Sequence, residues 1–402
     1  MFELQEQHRM IEQAVRQFCE KELAPQVEAL DKEEILPYDL IRKMMDSLGL
    51  RDMLLSALEK RLEGKEAKQD NEELDALDAT RQDILNSYII MKELSRVSPG
   101  FTMAWGASIG LCGLAIINKG NKEQIKKYGI PVLGFDKIGC WGLTEPEAGS
   151  DAFGGMKSVA KPDGDYYILN GTKTFITNAP YADIMVVYAK IDRGQPKKEQ
   201  PVHSFILERG MEGLTTGKPF EKMGMKDSPT GEIFMEDVKV HKDMLLGAEK
   251  DNIRDAAKES LGNERSGMPP MALGIIEKCY EQSLKYANER VQFGRPIGEF
   301  QAVQLKLANM YIHLQNVWNI VYRIAWMARE GKQDFTFACA SKSYCARAAL
   351  EVAMDAIQIH GGYGYMREYH IEKLARDAKL LEIGAGTTDI NLLTVARLEL
   401  QK

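Results

Sequence analysis

Residues 358–390 read QIHGGYGYMREYHIEKLARDAKLLEIGAGTTDI, and the rest of the chain is organised around them. Three glycines, Gly361, Gly362 and Gly364, alternate with Tyr363 and Tyr365. Glycine lacks a Cβ and tolerates positive φ, so such a loop lets backbone come close to a ligand. An amphipathic helix follows, with Leu374, Ala378 and Leu381 set among Lys373, Arg376, Asp377 and Lys379. A second turn of small residues, Gly384-Ala385-Gly386-Thr387-Thr388, closes it. Two backbone-exposing turns flanking one helix predict a clamp for a cofactor or thioester. Each turn taken alone reads equally well as a chain reversal.

Outside this stretch the make-up is globular. Hydrophobic residues are 44% and charged residues 28% of 402 positions, a length suited to roughly two or three domains. The net charge, 52 − 59 = −7, argues against nucleic acid or an anionic membrane as partner. Six cysteines without CxxC spacing read as reduced thiols, and six histidines without HxH or HExxH pairing predict no metal. Residues 1–10 lack the apolar segment of a signal peptide. The apolar run Phe101 to Asn118, interrupted by glycines, predicts a buried helix rather than membrane insertion. A cytoplasmic location is expected, with the mitochondrial matrix as the alternative.

Helical periodicity covers residues 2–53, in the stripes Phe2, Leu4, Met10, Ile11, Val15, Phe18 and Leu40, Ile41, Met44, Met45, Leu48. Residues 59–82 are dense in charge and read as a solvated helical excursion. From about Ile138 to Leu246 the pattern turns to β. Asp163-Gly164 and Asn170-Gly171 flank a strand at Tyr166 to Leu169 and predict hairpin turns. From Asn252 onward the period is helical again. The expected domains are 1–137, helical; 138–250, β; and 251–402, helical.

Two runs carry a resemblance to a known family. One is Gly142-Leu143-Thr144-Glu145-Pro146-Glu147-Ala148-Gly149-Ser150-Asp151; the other is Gln358 to Asp377, in the pattern Q-x2-GG-x-G-Y-x2-E-x4-K-x3-D. Together they resemble the two signatures of the acyl-CoA dehydrogenases, over nearly the whole chain and least well at 54–90. The resemblance implies an α+β fold: an all-helical N-terminal domain, an antiparallel β-barrel-like middle domain and a C-terminal four-helix bundle. It also implies FAD as cofactor, an acyl-CoA substrate, an electron-transfer flavoprotein as acceptor and a homotetramer. Carried over by position, Thr144 and Thr177 would bond the isoalloxazine and Phe175 would stack on it. Arg290, Gln292, Phe293, Gln358 and Gly362 would hold the pyrophosphate and adenosine half from a neighbouring subunit, and Thr387 would also touch FAD. Ser150 would meet the CoA moiety, with Arg265 and Gly384 beside the substrate.

One departure decides the chemistry. Most relatives carry a catalytic Glu in the second turn, as Glu-Gly-Thr; here it reads Ala385-Gly386-Thr387. Ala385 keeps the backbone N–H that would hold a thioester oxygen but cannot take the α-proton. A variation in the family, found in the isovaleryl-CoA and long-chain dehydrogenases, places the Glu in an earlier Leu-x-x-Glu-Arg segment. Leu261-Gly262-Asn263-Glu264-Arg265 matches it, which makes Glu264 the expected base. The plainer reading of Glu264 beside Arg265 is a solvated ion pair. Pro269-Pro270 is expected to kink that helix.

The empty turn at Gly384–Gly386 also predicts a bulky acyl group: branched, alicyclic or aryl-substituted. Rival readings are 1,4-dehydrogenation of a cyclic enoyl-CoA, desulfination and a non-catalytic acyl-CoA or flavin binder. A hydrolase built on Gly106-x-Ser108-x-Gly110 lacks the strand that a nucleophile elbow requires.

Overall fold

The computed structural model describes residues 4–67, 84–248 and 253–401. The N-terminal block holds α1 (Glu6–Phe18), α2 (Val27–Asp31), α3 (Tyr38–Ser47), α4 (Leu50–Ala67), α5 (Ile84–Ser95) and the helical run α6 (Pro99–Lys119). In α1 the buried face is His8, Val15 and Phe18, while Met10 is 66% exposed. Met10 lies about 100° around the helix from Ile11, so it cannot share that face. Helix α3 buries Tyr38, Ile41, Met44 and Met45 as its periodicity predicts. Ser98 caps α6 by accepting a hydrogen bond from the Phe101 N–H, with Pro99 at the first helical position. Among the described residues α6 is the one helix long and apolar enough to cross a membrane, and 67% of its apolar window is buried in the protein. The charged stretch 59–82 is helical as far as Ala67, and its remainder lies outside the described residues.

Inside α6, Ser108 is fully buried and its Oγ accepts the Gly139 N–H at 2.9 Å. The G-x-S-x-G spelling is thus a helix-to-sheet contact and not a nucleophile elbow.

The sheet comprises β1 (Gly139–Gly142), β2 (Val159–Asp163), β3 (Tyr166–Thr177), β4 (Ile184–Ile191), β5 (Val202–Glu208), β6 (Leu214–Thr216), β7 (Thr230–His241) and β8 (Leu245–Leu246). Its order is β6-β7-β3-β2-β4-β5-β8, with β1 added to β4. The antiparallel expectation needs correction: β1 and β2 both pair with β4 in parallel, so the sheet is mixed. All eight residues of β4 are buried, the near-continuous apolar strand expected where both faces are covered. Turn signals reveal neighbours in sequence; they say nothing of the long-range β1–β4 pairing. Asn170-Gly171 is not a hairpin turn either. Strand β3 runs through it, and the register shift there marks a bulge. Gly171 is required at that point, because a Cβ would come within 2.3 Å of Ser158 Oγ.

The C-terminal helices are α7 (Ile253–Glu289), α8 (Gln301–Arg329), α9 (Phe335–His360), α10 (Ile371–Ile383) and α11 (Thr388–Leu400). Helices α7 to α10 form the four-helix bundle, and α11 packs against α9. Helix α7 is continuous through Pro269 and Pro270. One apolar core fills this bundle, a second fills the N-terminal helices, and two more cover the sheet faces. Ion pairs brace the helices: Arg16 grips Glu93 with two 2.9 Å bonds inside the N-terminal block, and Arg96 reaches from that block to Glu277 on α7 at 2.7 Å.

Candidate active site

A cavity of about 1320 Å³ lies where α4, α5 and α6 meet α7 and the start of α9. Its wall is mainly apolar, with Leu54, Met91, Met103, Met268 and Phe335 among its residues. Glu264 is the carboxylate that α7 contributes to it. Glu264 is part-exposed and lines this cavity. Burial pushes its carboxyl up to about 7, while Arg265 and Lys342 pull it back. A carboxyl in that range can both take and return a proton near neutral pH.

The next residue joins Glu264's helix to the turn. Arg265 is buried, stacks its guanidinium 4.7 Å from the Phe335 ring and donates from Nε to the Ala385 carbonyl at 3.3 Å. It is absent from the cavity wall, as are Ala385 and Gly384. The turn is also held from α9 and α11. Lys342 Nζ donates to the Gly386 carbonyl at 2.6 Å and Asn391 Nδ2 to the same oxygen at 2.8 Å. Burial pushes the Lys342 ammonium down to about 8. Ala385 sits at φ 54°, a left-handed conformation that alanine seldom adopts, and is 8% exposed. Its carbonyl is occupied, yet among the described residues its N–H meets no acceptor. A buried, unused N–H on a strained turn is a preorganised donor for an oxyanion.

The expected FAD residues fall into two groups. At the sheet, the Thr144 carbonyl accepts the Thr174 N–H at 2.9 Å and Thr177 pairs with Thr230. Between them Phe175 projects at φ 57°, 70% exposed, its ring centroid 5.7 Å from that of Phe220. At the end of α7 a second cavity of about 480 Å³ is lined by Arg290, Gln292, Gly361, Gly362 and Tyr363. Gly361 has φ 59°, and nothing lies within 4 Å of where its Cβ or that of Gly362 would stand. Phe293 projects beside it, 94% exposed, and Gln358 is exposed at the end of α9. No described contact joins the two groups within one chain. Thr387 caps α11 through Ile390 N–H, and Ser150 is exposed in the turn after β1.

The sequence reading missed Lys342 and Asn391. A lone lysine in the small-residue run FACASKSYCARAAL was the available signal. It also gave Glu145 no role. That carboxylate is buried and accepts Lys157 N–H, Ser158 N–H and Lys173 Nζ at 2.6, 3.0 and 2.7 Å, pinning the loop that bears Thr144 and Ser150.

Three family models match in order: acyl-CoA dehydrogenase N-terminal domain over residues 5–134, middle domain over 140–238 and C-terminal domain over 254–400. The chain belongs to the acyl-CoA dehydrogenase family and is an oxidoreductase. It is 37% identical to the 3-(aryl)acrylate reductase of Clostridium sporogenes, over 97% of this chain and 98% of that one. With the caffeyl-CoA reductase–Etf complex subunit CarC of Acetobacterium woodii it shares 34% identity over 99% of each chain. The solved butyryl-CoA dehydrogenase of Megasphaera elsdenii superposes with a TM-score of 0.86 at 33% identity, covering 100% of both chains.

Proposed function

We propose that the protein uses FAD to interconvert a saturated acyl-CoA and its α,β-unsaturated counterpart, with a bulky, aryl-substituted acyl group. The observation that carries this reading is Glu264 in the wall of the large cavity, its helix tied by Arg265 to the carboxylate-free turn. In the oxidative direction Glu264 takes the α-proton as the Ala385 N–H holds the thioester oxygen, where negative charge collects. In the reductive direction protonated Glu264 returns that proton to the α-carbon. FAD, when bound, supplies acceptance or delivery of the β-carbon hydride. Gly361 and Gly362, open to close approach, and the bidentate donor Arg290 suit its pyrophosphate, while exposed Phe175 suits its ring system.

The aryl preference is supported by the size of the cavity and by the two relatives named for aryl-acrylate and caffeyl-CoA reduction. Those names favour net reduction as the working direction. An electron-transfer flavoprotein as partner is supported by the relative that is a subunit of an Etf complex. A homotetramer is supported by the separation of the two FAD groups in one chain and by the exposed Phe293. Domain limits at 1–137, 138–250 and 251–402 are part of this reading, supported by the start of β1 at Gly139 and the end of β8 at Leu246.

The test is anaerobic bleaching of the flavin by a panel of acyl-CoAs, on wild type and Glu264→Gln. An arylpropionyl-CoA is expected to bleach the wild type, and the variant to be slower by about 10³–10⁴. Equal rates would move the base elsewhere; a preference for butyryl- or octanoyl-CoA would end the aryl reading.

A further inference from the structure

Tyr88, on α5, is 7% exposed, lines the large cavity and packs with Met268 and Met271. Its hydroxyl makes no hydrogen bond to any described residue. Two other polar groups of this wall, Thr102 and Trp105, are engaged within the protein. Thr102 accepts from Ser95 Oγ at 3.0 Å and donates to the Ser98 carbonyl at 3.2 Å, while Trp105 Nε1 donates to Met45 Sδ at 3.2 Å. A phenol left unpaired in an apolar wall is unfavourable unless the occupant of the cavity supplies its partner. Burial raises the phenol's pKa, so it is neutral near pH 7 and can donate or accept.

Met268 and Met271 follow Glu264 on α7 by four and seven residues, about 6–10 Å along the helix. That separation suits the path from a reacting α-carbon to the far edge of an aryl ring. Tyr88 shares one buried apolar cluster with Met268 and Met271, and in such surroundings a neutral substituent costs less to bury than a carboxylate or ammonium. We propose that the Tyr88 hydroxyl reads a neutral hydrogen-bonding substituent on the ring, which makes hydroxyaryl acyl-CoA esters the preferred substrates. This rests on the aryl reading of the same cavity.

The experiment compares 3-(4-hydroxyphenyl)propionyl-CoA with 3-phenylpropionyl-CoA in anaerobic flavin reduction by the FAD-loaded wild type and Tyr88→Phe. Wild type is expected to favour the hydroxylated ester by about 10-fold or more in kcat/KM, and Tyr88→Phe to lose that preference through KM. The same preference in both proteins, or none in wild type, overturns the role of Tyr88. Reduction by neither ester overturns the aryl reading itself, and this inference with it. Thermal unfolding gives an independent check. Tyr88→Phe deletes an oxygen without a protein partner and is expected to melt no lower than wild type; a lower melting point would show that the hydroxyl bonds within the protein.

Discussion

Arg265 Nε lies 3.3 Å from the carbonyl oxygen of Ala385, so the residue after the proposed base holds the turn that carries the proposed oxyanion donor. Two segments 120 residues apart in sequence are thereby set in one geometry. Helix α7 thus brings the proposed base, Glu264, to the cavity, and the turn is left free of any carboxylate.

The position of Glu264 predicts opposite pH profiles for the two directions. Its carboxyl is raised from 4.5 to about 7, so oxidation of an acyl-CoA should speed up as pH rises through about 7 and reduction should slow. Stability follows the same shift. Below pH 4.5 both folded and unfolded forms hold the proton; from there to about 7 only the folded form does, so stability falls as pH rises. Glu264→Gln should therefore be more stable than wild type at pH 8, by roughly 1–3 kcal/mol in urea unfolding.

Lys342 is expected to tune that profile. It is among the cations that lower the Glu264 pKa, and it also bonds the Gly386 carbonyl at 2.6 Å. Lys342→Met should move the midpoint of the rate–pH profile upward by about one unit. A slower enzyme with an unmoved midpoint would show that the lysine serves the turn alone.

Gly384 tests the space argument. Its backbone is extended, at φ −66° and ψ 163°, and a Cβ would meet only the Leu380 carbonyl at 3.6 Å. Gly384→Tyr should therefore fold normally while filling the empty turn. In steady-state assays it is expected to lose at least about 10-fold in kcat/KM for arylpropionyl-CoA relative to butyryl-CoA.

Lys373 tests the packing of α10 against the segment that leads into β7. It is 1% exposed, bonds Asp377 at 2.6 Å and lies 3.6 Å from Asp227, while Asp377 also accepts the Met225 N–H. Lys373→Met leaves buried carboxylates without a cation and should cost roughly 3–5 kcal/mol, read from the urea midpoint.

Much was determined by the sequence alone. The switch from helical to alternating period and back marks the three blocks, because each period follows from local backbone geometry. The two signatures contain Thr144 and Gly362, the family resemblance adds Phe175 and Arg290 as expected cofactor residues, and the loss of a carboxylate at Ala385 makes Glu264 the proposed base. Other features were decided only by the tertiary structure. The parallel β1–β4 and β2–β4 pairings join segments remote in sequence, which turn signals cannot report. The same holds for the raised carboxyl of Glu264, the strained Ala385 with its unused N–H, and the unpaired hydroxyl of Tyr88. Each depends on what surrounds a group in space, and desolvation and hydrogen bonding arise only once distant helices close over it.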